Sequence, residues 1–213
     1  VVGEVGFIFS SRFSQLIGRQ LISNPIVAVS ELVKNAYDAD ADNITVEFQQ
    51  LCSNAPCLKI VDDGEGMTFF DVKSKWMMVG TDNKVHTPFT PKGRRKLGEK
   101  GIGRFSVERL AKKVKIISTR KGDDFSISFT INWDDYEKSV EEFSELKHTV
   151  IREPCNPETH GTTLFLEGLR DTWGKDELLN LQKELELLRP LDINEVAYKK
   201  YDFAGQKVKI NLV

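Results

Sequence analysis

The chain has 213 residues, 40% hydrophobic and 29% charged, with a formal net charge of −2. That balance is enough to bury a full core, so it describes one large folded domain or a domain with a small appendage, and it excludes an intrinsically disordered tract. It gives the chain as a whole no electrostatic drive toward nucleic acid or anionic membrane, and no apolar run approaches the roughly 20 residues that span a bilayer.

Along the chain, Phe13 to Leu21 suits a short helix. Ser23-Asn24-Pro25 is a helix start, a capping residue followed by proline at the first helical position. Ile26 to Asp38 then carries Ile26, Val29, Val33 and Ala36 at helical spacing. Ile44, Val46 and Phe48 alternate with polar residues and predict a strand with one buried face. Leu58 to Val61 is a second strand that runs into Asp62-Asp63-Gly64-Glu65-Gly66-Met67. Phe69 to Val79 reads as a helix. From Gly80 to Lys100 the glycines and prolines follow no period, which predicts a long irregular loop, and loops of that length in compact domains are often lids. Ile102 to Lys112 reads as a helix opening after glycines. Strands are expected at Val114 to Ser118, Phe125 to Trp133, Thr149 to Arg152 and Thr162 to Leu166. Asp176 to Leu188 is an amphipathic helix stopped by Pro190, and Val208 to Val213 alternates like an edge strand. Helices placed early and between strands, followed by consecutive strands, suit an α+β two-layer sandwich, a mixed sheet with helices on one face.

Four features carry chemistry. Glu31 and Asn35 are one turn apart on one helix face. A carboxylate there can take a proton from an attacking water, and the amide oxygen can help hold a hard divalent cation; alone, such a pair far more often marks a solvated helix face. Asp62 to Met67 places a carboxylate at a strand end beside glycines that let backbone approach a ligand, and such a carboxylate can accept a hydrogen bond from an exocyclic amine. Gly64-Glu65-Gly66 is not a dinucleotide fingerprint, because the third glycine is missing at Phe69. Gly98-Glu99-Lys100-Gly101-Ile102-Gly103-Arg104-Phe105 leads into a helix, where free backbone N–H groups suit phosphate. Gly93 to Gly98 has the glycine spacing of a P-loop, but Glu99 stands where that motif needs lysine, so a P-loop is rejected. Gly161-Thr162-Thr163 opens a strand with hydroxyls that can reach a bridging water.

Taken in order, Glu31-Leu32-Val33-Lys34-Asn35-Ala36-Tyr37-Asp38-Ala39, Asp62 to Met67, Gly80-Thr81-Asp82-Asn83-Lys84 through Gly103, and Gly161-Thr162-Thr163 resemble the N box and three glycine boxes of the GHKL (Bergerat-fold) ATPase superfamily. That superfamily includes gyrase B, the heat-shock chaperones, MutL, MORC and the histidine kinases, and the resemblance covers roughly residues 20 to 170. It implies a mostly antiparallel sheet and three segments: 1–20 as an N-terminal stretch, 21–190 as the ATP-binding domain, and 191–213 as an extension or the start of a further domain. It implies Glu31 as general base and Asn35 as the magnesium ligand. Asp62 would bind the adenine amine, Gly66 would shape the pocket floor, and Thr163 would back the adenine site. Gly98, Gly101 and Gly103 would cradle phosphate, with Lys84, Lys100 and Arg104 near it. Asp38, Gly64, Met67, Ile102 and Phe105 belong to the same motifs and are expected to line the nucleotide.

The expected ligands are therefore ATP or ADP with Mg2+, and the expected activity is ATP hydrolysis, weak or silent in an isolated fragment that lacks a downstream lysine. The competing readings are the catalytic domain of a histidine kinase, against which Glu31 argues, and a degenerate nucleotide-binding scaffold. The loop from Gly80 to Gly98, basic at Lys92, Arg94, Arg95 and Lys96, is expected to order on the γ-phosphate. An ATP-dependent homodimer is expected in a longer protein whose other domains bind DNA or a client protein; no membrane partner is expected. The chain begins with Val1 and reads as a piece of such a protein, and Val1 to Phe9 lacks the basic start of a signal peptide. Cys52, Cys57 and Cys155 form no C-x-x-C pair and the three histidines are scattered, so no zinc site and a reducing, cytoplasmic setting are the simplest expectation.

Overall fold

The computed structural model describes residues 1–6, 8–9, 24–51, 55–79, 88–97, 106–138, 147–188 and 209–212. Helix α1 (Pro25–Asp38) starts where its sequence signal places it. The Asn24 side chain accepts the Ile26 N–H at 2.8 Å, and Pro25 occupies the first turn, so one orphan donor is satisfied and none is wasted on proline. Its stripe of Ala28, Val29, Leu32, Val33 and Ala36 is buried. This stripe packs on strands β3 (Asn43–Gln49) and β4 (Cys57–Asp62).

The remaining strands are β1 (Gly3–Gly6), β2 (Ile8–Phe9), β5 (Met78–Val79), β6 (Ala111–Thr119), β7 (Phe125–Asn132), β8 (Lys147–Pro154), β9 (Gly161–Leu169) and β10 (Lys209–Leu212). Among the described residues, eight of these form one sheet in the order β1-β8-β7-β6-β9-β4-β3-β10. Every ladder in it is antiparallel except the edge pair β10 with β3. The two short strands β2 and β5 pair in parallel beside it. On one face Leu58, Ile60, Val114, Ile116, Ile127, Ile131 and Leu166 are buried. Helix α1 covers this face with α3 (Ser106–Leu110) and α5 (Lys175–Leu187), the latter through Leu181 and Leu185. The two-layer α+β sandwich with a mostly antiparallel sheet is therefore what the chain forms.

Several local expectations shift. Phe69 to Val79 is not one α-helix: three α-helical residues, Phe69–Asp71 (α2), run into a π-helical turn, Val72–Trp76, before β5. The Met77 N–H reaches the Val72 carbonyl at 2.8 Å, and the wider turn puts both Val72 and Met77 in the core. The helix expected over Ile102 to Lys112 ends at Leu110, because Ala111 is taken into β6, opposite Leu169; Ile102 to Phe105 lie outside the described residues. Trp133 leaves the strand to open helix α4 (Trp133–Lys138), with Asn132 Oδ1 accepting the Asp134 N–H at 3.3 Å. The expected C-terminal edge strand is β10, and Gly3–Gly6 forms the opposite edge. The helix expected at Phe13 to Leu21 lies outside the described residues.

Residues 88–97 are not irregular. They form a tight hairpin closed by a bridge between Phe89 and Arg95, with Thr90 N–H donating to the Arg94 carbonyl at 2.8 Å and Lys96 N–H to the Pro88 carbonyl at 2.9 Å.

Leu166 lies fully buried on the central strand β9. Leu166→Ala should cost about 2–5 kcal/mol of unfolding free energy and lower the urea midpoint. Leu179→Ala, on the exposed side of α5, should stay within about 0.5 kcal/mol of wild type.

Candidate functional site

The end of β4 is held from several sides. Asp62 faces Thr162 across the β4–β9 ladder, and Thr162 in turn faces Ser118 of β6. Asp62 Oδ1 accepts two backbone hydrogen bonds, from Gly64 at 2.9 Å and Thr162 at 3.2 Å. Among the described residues no group donates to Oδ2. Burial pushes the Asp62 carboxyl up to about 6. The two N–H groups and His160 oppose that push, and Asp63 reinforces it. The result is a partly buried carboxyl with one oxygen held by the backbone and the other open to a ligand donor.

The glycines around it are sterically required. Gly66 has φ +63, and a Cβ there would sit 1.9 Å from the Thr119 carbonyl oxygen. Gly161 has φ +118, and its Cβ would meet the Asp62 carbonyl oxygen at 2.0 Å. Between them, Ser118 Oγ accepts the Met67 N–H at 2.9 Å, donates to the Gly161 carbonyl at 3.2 Å and lies 2.9 Å from Thr162 Oγ1. His160 Nδ1 donates to the Gly64 carbonyl at 2.7 Å. The turn is thus tied to β6 and β9 by backbone and hydroxyl contacts together.

Asp63 turns the other way. Its Oδ1 accepts the Asp42 and Asn43 N–H groups at 2.7 and 2.8 Å, and its Oδ2 accepts Asn43 Nδ2 at 2.6 Å. Burial opposes its ionisation, but these bonds outweigh it and hold the carboxyl below its ordinary range. The Glu65 N–H donates to the Ala39 carbonyl at 2.8 Å, so the C-terminal end of α1 rests on the same turn. Helix α1 carries Glu31, Lys34, Asn35 and Asp38 partly buried along one edge. Glu31 is ion-paired with Lys34 at 2.8 Å.

Residues 22–162 match the family described as histidine kinase-, DNA gyrase B-, and HSP90-like ATPase. This chain belongs to that ATPase family. The chain is 27% identical over 79% of its length to a putative type II restriction enzyme, HgiDII, of Herpetosiphon aurantiacus, covering 27% of that protein. It is 31% identical to the DNA mismatch repair protein MutL of Dictyoglomus turgidum over 58% of its length, 21% of that protein. It is 38% identical to MutL of Clostridium botulinum (strain Kyoto / Type A2) over 30% of its length, 9% of that protein. The chain therefore spans a little over a quarter or less of these relatives.

Seen as an ATPase-family domain, the sequence-derived set divides. Asp62, Gly64, Gly66 and Met67 come together in one turn, while Glu31, Asn35 and Asp38 lie along the helix whose end rests on it. Asp38 Oδ1 accepts the Leu97 N–H at 2.7 Å, which engages that oxygen with the hairpin. Thr163 pairs with Val61 and Ile117, so strand alternation turns its side chain to the opposite face from Asp62; the hydroxyl beside Asp62 is that of Thr162. Lys84, Gly98, Lys100, Gly101, Ile102, Gly103, Arg104 and Phe105 lie outside the described residues. Lys92 and Arg94, expected on a loop awaiting phosphate, instead bond the chain's own Asp42. Sequence reasoning missed Ser118 and His160. Nothing local marks them, because their role comes only from strand register.

The Asp62 carboxyl sets a pH dependence. Its folded-state value lies above the ordinary 3.8, so the folded protein prefers it protonated. The stability this contributes is fully present below pH 3.8 and is lost as pH rises through about 6. In the nucleotide-free protein, Asp62→Asn should therefore gain stability relative to wild type as pH rises from about 4 to about 7, by on the order of 1–3 kcal/mol. Urea titrations across that range should show the widening gap, and a difference independent of pH would contradict a desolvated carboxyl.

Proposed function

We propose that this domain binds ATP and hydrolyses it with Mg2+ as part of a longer protein, with the nucleotide state governing closure of a lid in the Gly80 to Gly98 loop and dimerisation. The observation that carries this reading is Asp62: one carboxylate oxygen satisfied by backbone, the other open, at the strand end beneath a glycine turn. An adenine amine is a donor of the right kind for that oxygen. Thr162, on the same face of the sheet, could hold a water beside it, with Ser118 Oγ orienting its hydroxyl. Guanine presents a carbonyl at the same ring position, which Asp62 would repel.

Asn35 offers a hard amide oxygen that would help hold Mg2+; the ion when bound would neutralise charge on the phosphates. Glu31 then takes the proton of the attacking water, and Lys34, paired to it, holds the carboxylate in orientation until a ligand competes. The glycines at Gly98, Gly101 and Gly103 and the cations Lys84, Lys100 and Arg104 serve the phosphates in this reading. The names of the relatives, a mismatch repair protein and a putative restriction enzyme, favour a DNA-directed role for the whole protein.

Two outcomes test the reading. Asp62→Ala should weaken ATP binding about 10-fold or more, since a hydrogen bond to a charged group contributes roughly 1.5–3 kcal/mol; calorimetry showing unchanged affinity would remove Asp62 from the pocket. Glu31→Gln, measured in the full-length protein, should retain ATP binding and lose about 10²–10⁴-fold in phosphate release. Wild-type turnover in that variant would place the base elsewhere.

A further inference from the structure

The hairpin 88–97 is fastened to the turn between α1 and β3 by a basic side chain that is itself buried. Arg94 is 2% exposed. Its Nη1 donates to the Ala41 carbonyl and its Nη2 to Asp42 Oδ1. Its guanidinium lies 5.3 Å from the centroid of the Tyr37 ring. Around it, Thr90 Oγ1 donates to Asp40 Oδ1, Lys92 N–H to Asp40 Oδ2 at 3.1 Å, and Lys92 Nζ to the Asp40 carbonyl and to Asp42 Oδ2, both at 2.8 Å. Asp40 holds a left-handed φ of 62 while almost fully buried. That region is uncommon for a non-glycine residue, though aspartate tolerates it better than most, and this ring of donors holds Asp40 there.

The turn so held is the one that braces the candidate site. Asp42 and Asn43 supply the backbone N–H groups that fix Asp63, and Ala39 accepts the Glu65 N–H. Asp62 immediately precedes Asp63, the first of these two attachments. We propose that Arg94 is a positioning residue for adenine recognition: through Ala41 and Asp42 it holds the 39–43 turn, and through that turn it orients the Asp62 carboxylate. This rests on the nucleotide-binding reading above, and it assigns Arg94 to the adenine end rather than to the phosphates.

A cation that contacts phosphate and a cation that braces the adenine carboxylate differ in what they discriminate. Removing a phosphate contact weakens ATP more than ADP or adenosine. Loosening the Asp62 turn weakens all three by one factor and narrows the preference for ATP over GTP, a ratio that a general loss of stability would leave unchanged in the folded population. Calorimetry on Arg94→Met and Arg94→Lys, at a temperature where circular dichroism shows each folded, is the test. Arg94→Met should bind ATP, ADP and adenosine about 10-fold more weakly, the factor of one well-aligned hydrogen bond to a charged group. Arg94→Lys, which keeps the charge but not the two-pronged geometry, should fall between it and wild type.

Because removing a buried ion-pair partner can unfold a domain, Asp42→Ala provides a second route. Its side chain is 54% exposed, and it should produce the same uniform loss and the same narrowed ATP-to-GTP ratio. Unchanged affinity in the folded variants, or a loss confined to ATP, overturns the proposal. If the wild-type protein binds ATP no better than GTP, the adenine reading of Asp62 fails first and the Arg94 assignment falls with it.

Discussion

A carboxylate can stay at a partly buried strand end only if the backbone around it turns donors inward, and the site depends on that constraint. Asp62 meets it by taking the Gly64 and Thr162 N–H groups on one oxygen. Both donors exist only because β4 and β9 pair in a register that puts Thr162 opposite Asp62, and because the chain bends back at Gly64. The bend requires Gly66 to pass within a methyl's reach of Thr119, and the register requires Gly161 to lie over the Asp62 carbonyl. The central ladders, the glycines and the acid are one geometric solution, so altering any of them disturbs the others.

The same turn is the meeting point of the helical layer and the loop layer. Its acidic face, Asp63, receives the start of β3, and its Glu65 N–H receives the end of α1. The outer side of that α1–β3 connection is occupied by the 88–97 hairpin. Three aspartates spaced two apart, Asp38, Asp40 and Asp42, accept from Leu97, Thr90, Lys92 and Arg94. A buried guanidinium is costly unless each donor is used. Two carbonyl or carboxylate partners and a ring face lower that cost here, although Arg94 Nε has no partner among the described residues. Lys92 holds the Asp42 carboxyl below its ordinary range, with Arg94 adding to the effect. The hairpin that leads into the glycine-rich segment is thus rooted on the helix that carries Glu31 and Asn35.

Membership of the ATPase family defines the scaffold, while the function of the longer proteins in which such domains occur depends on what is joined to it. The two outer strands of the sheet, β1 and β10, come from opposite parts of the sequence, and the Asp62 site is built by strands inside them. No helix among the described residues is long and apolar enough to cross a membrane.

What could be read from the residues and what could not follows a physical division. Helix α1, with its Asn24-Pro25 start and its apolar stripe, was legible because capping and helical periodicity are local. Strands β3 and β4, the edge strand β10 and the two-layer architecture were legible for the same reason. So was the Asp62 to Met67 turn, since a carboxylate followed by spaced glycines is a pattern within a few residues. The π-turn at Val72–Trp76, the loss of Ala111 from a helix to β6, and the departure of Trp133 from β7 were not legible, because each is decided by what the neighbouring strands and core require. The choice of Thr162 over Thr163 beside Asp62 is set by strand register, which one strand's sequence does not contain. The reversal of Lys92 and Arg94 from a loop awaiting phosphate to anchors on Asp42 depends on contacts across some fifty residues of chain. Sequence by itself determined which residue types stand ready for nucleotide chemistry; only the tertiary structure decided which of their atoms remain open, because hydrogen-bond satisfaction in a partly buried site is settled by partners that are distant in sequence.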